Sequence, residues 1–131
     1  MTCVLIIDDD TQLRTMLRET LEKKGYEVIE AGEGREGLQR YRVTPADVII
    51  LDIFMPGQEG IETIRALQFI NPEVKIIAIS GGGLAVREDS LPIAAMLGAQ
   101  RTLQKPFLRH DLLQAVRELV QDKGEEAWTA S

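Results

Sequence analysis

Two apolar runs in this chain end in carboxylates. Val4-Leu5-Ile6-Ile7 leads into Asp8-Asp9-Asp10, and Val48-Ile49-Ile50-Leu51 leads into Asp52. Ser80 ends a third apolar run, and Lys105 follows a short stretch at 99–103. A lone aspartate at a strand end is ordinarily a helix cap or a turn former. Several acids brought to one place have another consequence. Two unit charges about 4 Å apart cost roughly 4 kcal/mol at an effective dielectric of about 20. A fold tolerates that only where a cation or a raised pKa relieves it. Ligands that are all oxygen, few in number and partly open to water suit Mg²⁺, which keeps several of its waters. Three acids, one Mg²⁺ and one lysine are neutral in sum. One carboxylate can then act as a nucleophile of the kind that forms an aspartyl phosphate. The cations would neutralise the incoming phosphoryl oxygens, most of what phosphoryl transfer asks of a protein.

The elements that must position these residues follow from the hydrophobic pattern. Unbroken apolar runs read as strands buried on both faces. They predict strands at 3–7, Tyr26 to Ile29, Asp47 to Leu51, Val74 to Ile79 and 99–103. Between them the period changes to that of helices. Leu13, Met16, Leu17, Thr20 and Leu21 share one helical face, which Lys23-Lys24-Gly25 stops. A second helix spans Arg35 to Tyr41 and ends at Thr44-Pro45. A third carries Ile61, Ile64, Leu67 and Phe69 and closes at Asn71-Pro72. Gly81-Gly82-Gly83 then opens a loop over 81–89, and Pro92 fits the first turn of a short helix starting near Ser90. Leu108, Leu112, Leu113, Val116, Leu119 and Val120 form the last helix.

Strands and helices that alternate in this way imply an α/β fold, with a parallel sheet covered on both faces and right-handed crossovers. Ligands of such sheets sit beyond the carboxyl ends of the strands, where the strand order reverses. With the order 2-1-3-4-5 that point lies between strands 1 and 3. Asp8, Asp9 and Asp52 meet there, and Ser80 and Lys105 line the same rim. Asp10 is read as the cap of the first helix, Cys3 and Met16 as core, and His110 as surface.

Composition narrows the function classes. The chain has 131 residues, 44% of them hydrophobic and 27% charged, which suits one globular domain with a core of its own. A formal net charge of −6 and the lack of a basic stripe argue against direct nucleic-acid binding. With one cysteine there is no internal disulfide, and a reducing, cytoplasmic setting fits. No apolar run is long enough for a membrane span. One histidine excludes a multi-histidine metal site and disfavours a Ser-His-Asp triad.

The motifs together carry a resemblance. Val4-Leu5-Ile6-Ile7-Asp8-Asp9-Asp10, Asp47 through Met55-Pro56-Gly57 with Gly60, Ile79-Ser80-Gly81 and Lys105-Pro106-Phe107 resemble the receiver domain of two-component response regulators. The match spans residue 3 to about 122. The resemblance implies a flavodoxin-like doubly wound (βα)5 sandwich with sheet order 2-1-3-4-5. The receiver domain would occupy residues 1–122, with 123–131 an acidic tail, which holds Trp128, or the start of a linker. Asp52 would be the phosphoacceptor. Asp8, Asp9 and Asp52 would bind Mg²⁺, with the backbone carbonyl of Phe54 completing the protein's ligands. Ser80 and Lys105 would bind the phosphoryl group, and the Lys105-Pro106 bond is often cis in this family. The donor would be the phosphohistidine of a sensor histidine kinase or phosphotransfer protein, or a small donor such as acetyl phosphate. An output protein or domain would read the result, with homodimerisation through the last helices. Such a module accepts phosphate rather than acting as an enzyme in its own right.

Two features depart from the family pattern. Thr102 stands where the family commonly carries an aromatic residue, and the glycine-rich connection after Ser80 is unusual. Two other readings compete. A Mg²⁺-dependent aspartyl-nucleophile phosphatase usually needs a second acid two residues after the nucleophile, where this chain has Phe54. A flavin-binding protein of similar topology needs a Ser/Thr/Gly loop after the first strand, where this chain has three aspartates.

Overall fold

The apolar runs become the centre of one parallel sheet. In the computed structural model the chain is described over residues 1–53, 59–80 and 98–130, with residue 59 and residues 121–130 described by backbone alone. The strands are β1 (Cys3–Ile7), β2 (Glu27–Ala31), β3 (Val48–Asp52), β4 (Ile76–Ser80) and β5 (Arg101–Gln104). Their order is β2-β1-β3-β4-β5 and every pairing is parallel. This is the doubly wound, flavodoxin-like α/β order, with the reversal between β1 and β3. The described helices are α1 (Thr11–Glu22), α2 (Gly34–Val43), α3 (Glu59–Ile70) and α4 (Arg109–Ala130). The Phe54-to-Gly57 turn, the loop after Ser80 and the helix expected near Ser90 lie outside the described residues.

Side chains alternate across a strand, and that alternation divides the core in two. Leu5, Ile7, Ile49, Leu51, Ile76 and Ala78 face one side, where Tyr41 of α2 and Ile64 and Leu67 of α3 cover them. Val4, Ile6, Val48, Ile50, Ile77 and Ile79 face the other, against Leu17 and Leu21 of α1 and Leu112, Val116 and Leu119 of α4. β1, β3 and β4 are buried at every position. Each fully buried Leu or Ile contributes about 1.5–3 kcal/mol relative to exposure, so the sheet's centre is rigid ground for whatever its ends carry.

β3 runs one residue past the predicted Leu51, to Asp52, which pairs with Ile79. The apolar run marks burial, whereas the ladder continues one residue beyond it. β4 ends at Ser80 as expected, paired with Gln104, but starts at Ile76 rather than Val74. α1 stops as expected, with Gly25 at φ +89°, a left-handed conformation that suits glycine. Phe69 does not join the buried face of α3. It is 91% exposed, while Ile64 and Leu67 are fully buried. α4 passes through Gly124 and stays helical to Ala130, beyond the apolar positions that announced it. Among the described residues no helix is long and apolar enough to cross a membrane.

Candidate functional site

The site begins with how β1 ends. The Asp8 N–H donates to the Ala31 carbonyl at 3.1 Å, carrying the pairing with β2 one step past the strand. The Asp8 side chain turns back on its own loop, and its Oδ1 accepts from the Asp10 N–H at 2.8 Å. Asp10 faces the other way. Its Oδ1 accepts from the Gln12 and Leu13 N–H groups at 3.0 and 3.2 Å, which makes it the N-cap of α1. The acidic run thus divides its work, with Asp8 and Asp9 left to the pocket and Asp10 holding the helix.

Because β1 and β3 are neighbours, with Ile7 opposite Leu51, Asp52 arrives beside this loop. Behind it, a Cβ at Gly60 would overlap the backbone of Ile53, so glycine lets the first turn of α3 pack directly against the end of β3. Asp8, Asp9 and Asp52 each offer a carboxylate oxygen within 4.8 Å of the others. Asp8 and Asp52 are buried, at 1% and 4% exposure, and Asp9 is exposed. Lys105 follows β5, its N–H donating to the Ser80 carbonyl at 2.8 Å. Its Nζ reaches Asp8 Oδ2 at 3.1 Å and Asp52 Oδ2 at 3.4 Å. The Lys105-Pro106 peptide is cis. Ser80 is fully buried at the end of β4, next to β3. The strand ends therefore bring together Asp8, Asp9, Asp52 and Lys105, with Ser80 on the same rim.

Charge is crowded here. Burial pushes the Asp8 carboxyl above the usual carboxylate range, and the charge of Asp52 adds to that. The Asp10 N–H and Lys105 oppose the shift without cancelling it. Burial alone would lower the pKa of Lys105, but the charges of Asp52 and Asp8 outweigh it and hold the ammonium above its ordinary value. Three carboxylates and one ammonium leave a surplus of two negative charges. An all-oxygen donor set with that surplus, open to water on the side of Asp9, fits a hard divalent cation.

Other expectations also find their places. Cys3 is buried and Met16 packs against the core, while His110 is exposed. Thr102 lies half-buried in β5 opposite Ala78. Phe54, whose carbonyl was expected among the ligands, lies outside the described residues. One residue near the site went unread in the sequence. Arg14 of α1 donates from Nη1 to the Asp8 carbonyl at 2.6 Å and pairs through Nε with Glu30 Oε1 at 3.1 Å. An arginine on the polar side of an amphipathic helix gives no sign of this. The contact exists only once α1 folds back along β1 and β2.

Comparison with known proteins agrees with the geometry. Residues 4–117 match the family model described as the response regulator receiver domain. The chain is 36% identical over 118 residues to the chemotaxis protein CheY of Thermotoga maritima, covering 88% of this chain and 95% of that protein. It is 29% identical over 115 residues to sporulation initiation phosphotransferase F of Bacillus subtilis, covering 88% and 90%. A crystal structure of a response regulator receiver domain protein from Clostridium thermocellum superposes with a TM-score of 0.85 at 29% identity, over 95% of this chain and 98% of that one. An acidic trio at the β1–β3 reversal, a lysine bridging two of its members and a family match across nearly the whole sheet lead to one conclusion: this chain belongs to the response regulator receiver domains of two-component signalling.

Proposed function

We propose that Asp52 is the phosphoacceptor of this receiver and that transfer to it depends on Mg²⁺. The observation that carries the reading is the buried Asp52 carboxylate, within 4.8 Å of Asp8 and Asp9 and 3.4 Å from the Lys105 ammonium. In the transfer, an Asp52 oxygen forms a bond to phosphorus as the N–P bond of a phosphohistidine breaks. The imidazole nitrogen leaves with the electron pair. Asp8 and Asp9, with Asp52 and the Phe54 carbonyl, would hold Mg²⁺. When bound, the ion neutralises charge on the phosphoryl oxygens. Lys105 offsets the remaining negative charge and, already bonded to Asp52, keeps that carboxylate oriented. Ser80 would hydrogen-bond a phosphoryl oxygen from the end of β4.

The donor in this reading is a sensor histidine kinase or phosphotransfer protein in the cytoplasm. The phosphorylated form would switch a protein-interaction face toward an output partner, with homodimerisation through the last helix as a further mode. The chain's own contribution is to accept the group and to assist its transfer and loss. A hydrolase with an aspartyl nucleophile is disfavoured because Phe54 stands where such enzymes place their second acid.

Incubation with acetyl phosphate and Mg²⁺, read by intact mass, tests the proposal. One labile phosphoryl group per chain is expected, with none on Asp52→Asn and none when Mg²⁺ is chelated. Sustained release of many equivalents of phosphate would favour the hydrolase. Incorporation that survives Asp52→Asn would remove Asp52 from the role.

A further inference from the structure

We infer that Arg14 is a positioning residue for the acidic pocket, holding the peptide between Asp8 and Asp9 so that both side chains meet Asp52. This rests on the metal-binding reading above. β1 pairs with its neighbours only as far as Ile7, which faces Ala31 on one side and Leu51 on the other. The Asp8 N–H still reaches the Ala31 carbonyl. The Asp8 carbonyl lies past the last paired residue of β1, and Arg14 Nη1 supplies a donor to it at 2.6 Å. The peptide unit is planar, so fixing that carbonyl also fixes the direction of the Asp9 N–H and the start of the Asp9 side chain. Asp9 is the exposed member of the trio and has no wall of core packing to aim it. The peptide that leads to it is the point of control.

Arg14 is itself held firmly enough to serve. Its side chain is 18% exposed, and its Nε pairs with Glu30 Oε1 at 3.1 Å. The other oxygen of Glu30 binds Arg18 Nη1 at 2.7 Å, and Arg18 Nη2 donates to the Val28 carbonyl at 2.9 Å. Glu30, on β2, is thus shared between Arg14, which reaches the Asp8 carbonyl, and Arg18, which is tied to the Val28 carbonyl. A guanidinium is flat and permanently charged, and its donors are fixed in a fork. It can therefore hold a carboxylate and a carbonyl at set angles at the same time. A lysine ammonium restores the charge but not that fork. Partners just outside a metal's ligands commonly change affinity 10–100-fold when removed.

The experiment compares Arg14→Gln, Arg14→Lys and Arg18→Gln with wild type by calorimetric titration of Mg²⁺ and by urea unfolding without Mg²⁺. Arg18 shares Glu30 with Arg14 but does not touch Asp8, so it reports loosening of the network alone. Both Arg14 variants are expected to bind Mg²⁺ about tenfold more weakly or worse, while Arg18→Gln is expected to stay close to wild type. Unfolding is expected to shift by a similar amount in Arg14→Gln and Arg18→Gln. Wild-type affinity in Arg14→Gln, equal weakening in Arg18→Gln, or full rescue by Arg14→Lys would each overturn the assignment. If Arg14→Gln does not fold, Glu30→Gln removes one anchor of Arg14 and is expected to weaken Mg²⁺ binding in the same direction. Unchanged affinity there and in Arg14→Lys would also overturn it. Absence of saturable Mg²⁺ binding in wild type would instead bring down the metal reading and this inference with it.

Discussion

The two ends of the sheet use polar side chains in opposite ways. At the amino end each one braces a neighbouring group. Asp47 Oδ2 accepts from the Cys3 N–H at 2.8 Å. Gln100 accepts from the Ile76 N–H at 2.7 Å and donates to the Val74 carbonyl at 3.0 Å, standing in for a strand neighbour. Asn71 donates to the Tyr41 hydroxyl at 3.0 Å, and Lys75 ties the approach to β4 to the Leu119 carbonyl of α4 at 3.1 Å. At the carboxyl end, Asp8, Asp52 and Lys105 are paired with one another, and acids outnumber cations. Of the two, the carboxyl end buries its acids: Asp8 and Asp52 are buried, whereas Asp47, Asn71 and Lys75 are half-buried and Gln100 is exposed. At the amino end the polar side chains complete hydrogen bonds of the backbone and of the Tyr41 hydroxyl. At the carboxyl end they store a charge imbalance that a bound cation or protonation of Asp8 relieves. Burial together with a like charge close by is what sets Asp8 and Asp52 apart.

Lys105→Met should strain that contrast most. The methionine keeps much of the stem's packing and removes the ammonium, so Asp8 and Asp52 face each other without it. Removing one partner of a buried pair commonly costs about 3–5 kcal/mol. The expected loss in urea unfolding at neutral pH without Mg²⁺ is about 3 kcal/mol, with much of it regained on adding Mg²⁺. An equal loss with and without the ion would mean that the lysine serves packing alone. Asp47→Ala at the other end should also destabilise, but without regard to Mg²⁺. It removes the acceptor of the Cys3 N–H, and an unsatisfied buried donor costs about 1–3 kcal/mol. That loss should be the same in Mg²⁺ and in chelator, and phosphorylation of the folded protein should be unchanged.

Acidity separates the two ends again. Burial holds the Asp8 pKa above its unfolded value, so in the window just above the ordinary carboxylate range the folded state binds more protons than the unfolded state. Stability contributed by Asp8 should then fall as pH rises through that window, by about 1.4 kcal/mol for each unit of displacement. Other acids titrate nearby, so the useful measure is wild type against Asp8→Asn in urea without Mg²⁺. The Asp8→Asn variant should gain on wild type as pH climbs from acid to neutral, and the gain should shrink with Mg²⁺ present. A gap independent of pH would show that Asp8 bears no strain.

The central sheet was legible because its strands are buried on both faces. Val4 to Ile7 and Val48 to Leu51 permit little else. The candidate site residues were legible because they stop those runs, and topology needs only the strand order to bring Asp8 beside Asp52. Edges were harder to read. Asp52 belongs to the ladder but not to the apolar run, and a pattern of burial has no means of counting it in. Phe69 has the composition of a core residue, yet only the packed helix reveals that it points outward. The continuation of α4 through Gly124 runs against local propensity, which disfavours glycine inside a helix. Arg14 was invisible for a different reason. Its partners, Asp8 and Glu30, are 6 and 16 residues away, and no spacing rule joins them.

Asp10 gives the finest test, because it sits at the charged end but works in the manner of the other. It is the third consecutive aspartate and stands beside two members of the acidic pocket. If adjacency decided its role, Asp10→Ala would alter Mg²⁺ binding as Asp9→Ala should. Its carboxylate, however, is bonded to the Gln12 and Leu13 N–H groups at the start of α1. The contact it makes toward the pocket is through its own N–H, to Asp8 Oδ1, and alanine retains that donor. Asp10→Ala should therefore cost about 1 kcal/mol of stability, the usual value of an N-cap, in the presence or absence of Mg²⁺. Mg²⁺ affinity and phosphorylation of the folded fraction should match wild type. Asp10→Ser, which can still cap, should recover most of the stability. A Mg²⁺ affinity that drops with Asp10→Ala and stays low with Asp10→Ser would place a fourth negative charge in the pocket's balance, and the division of labour within the acidic run would have to be redrawn.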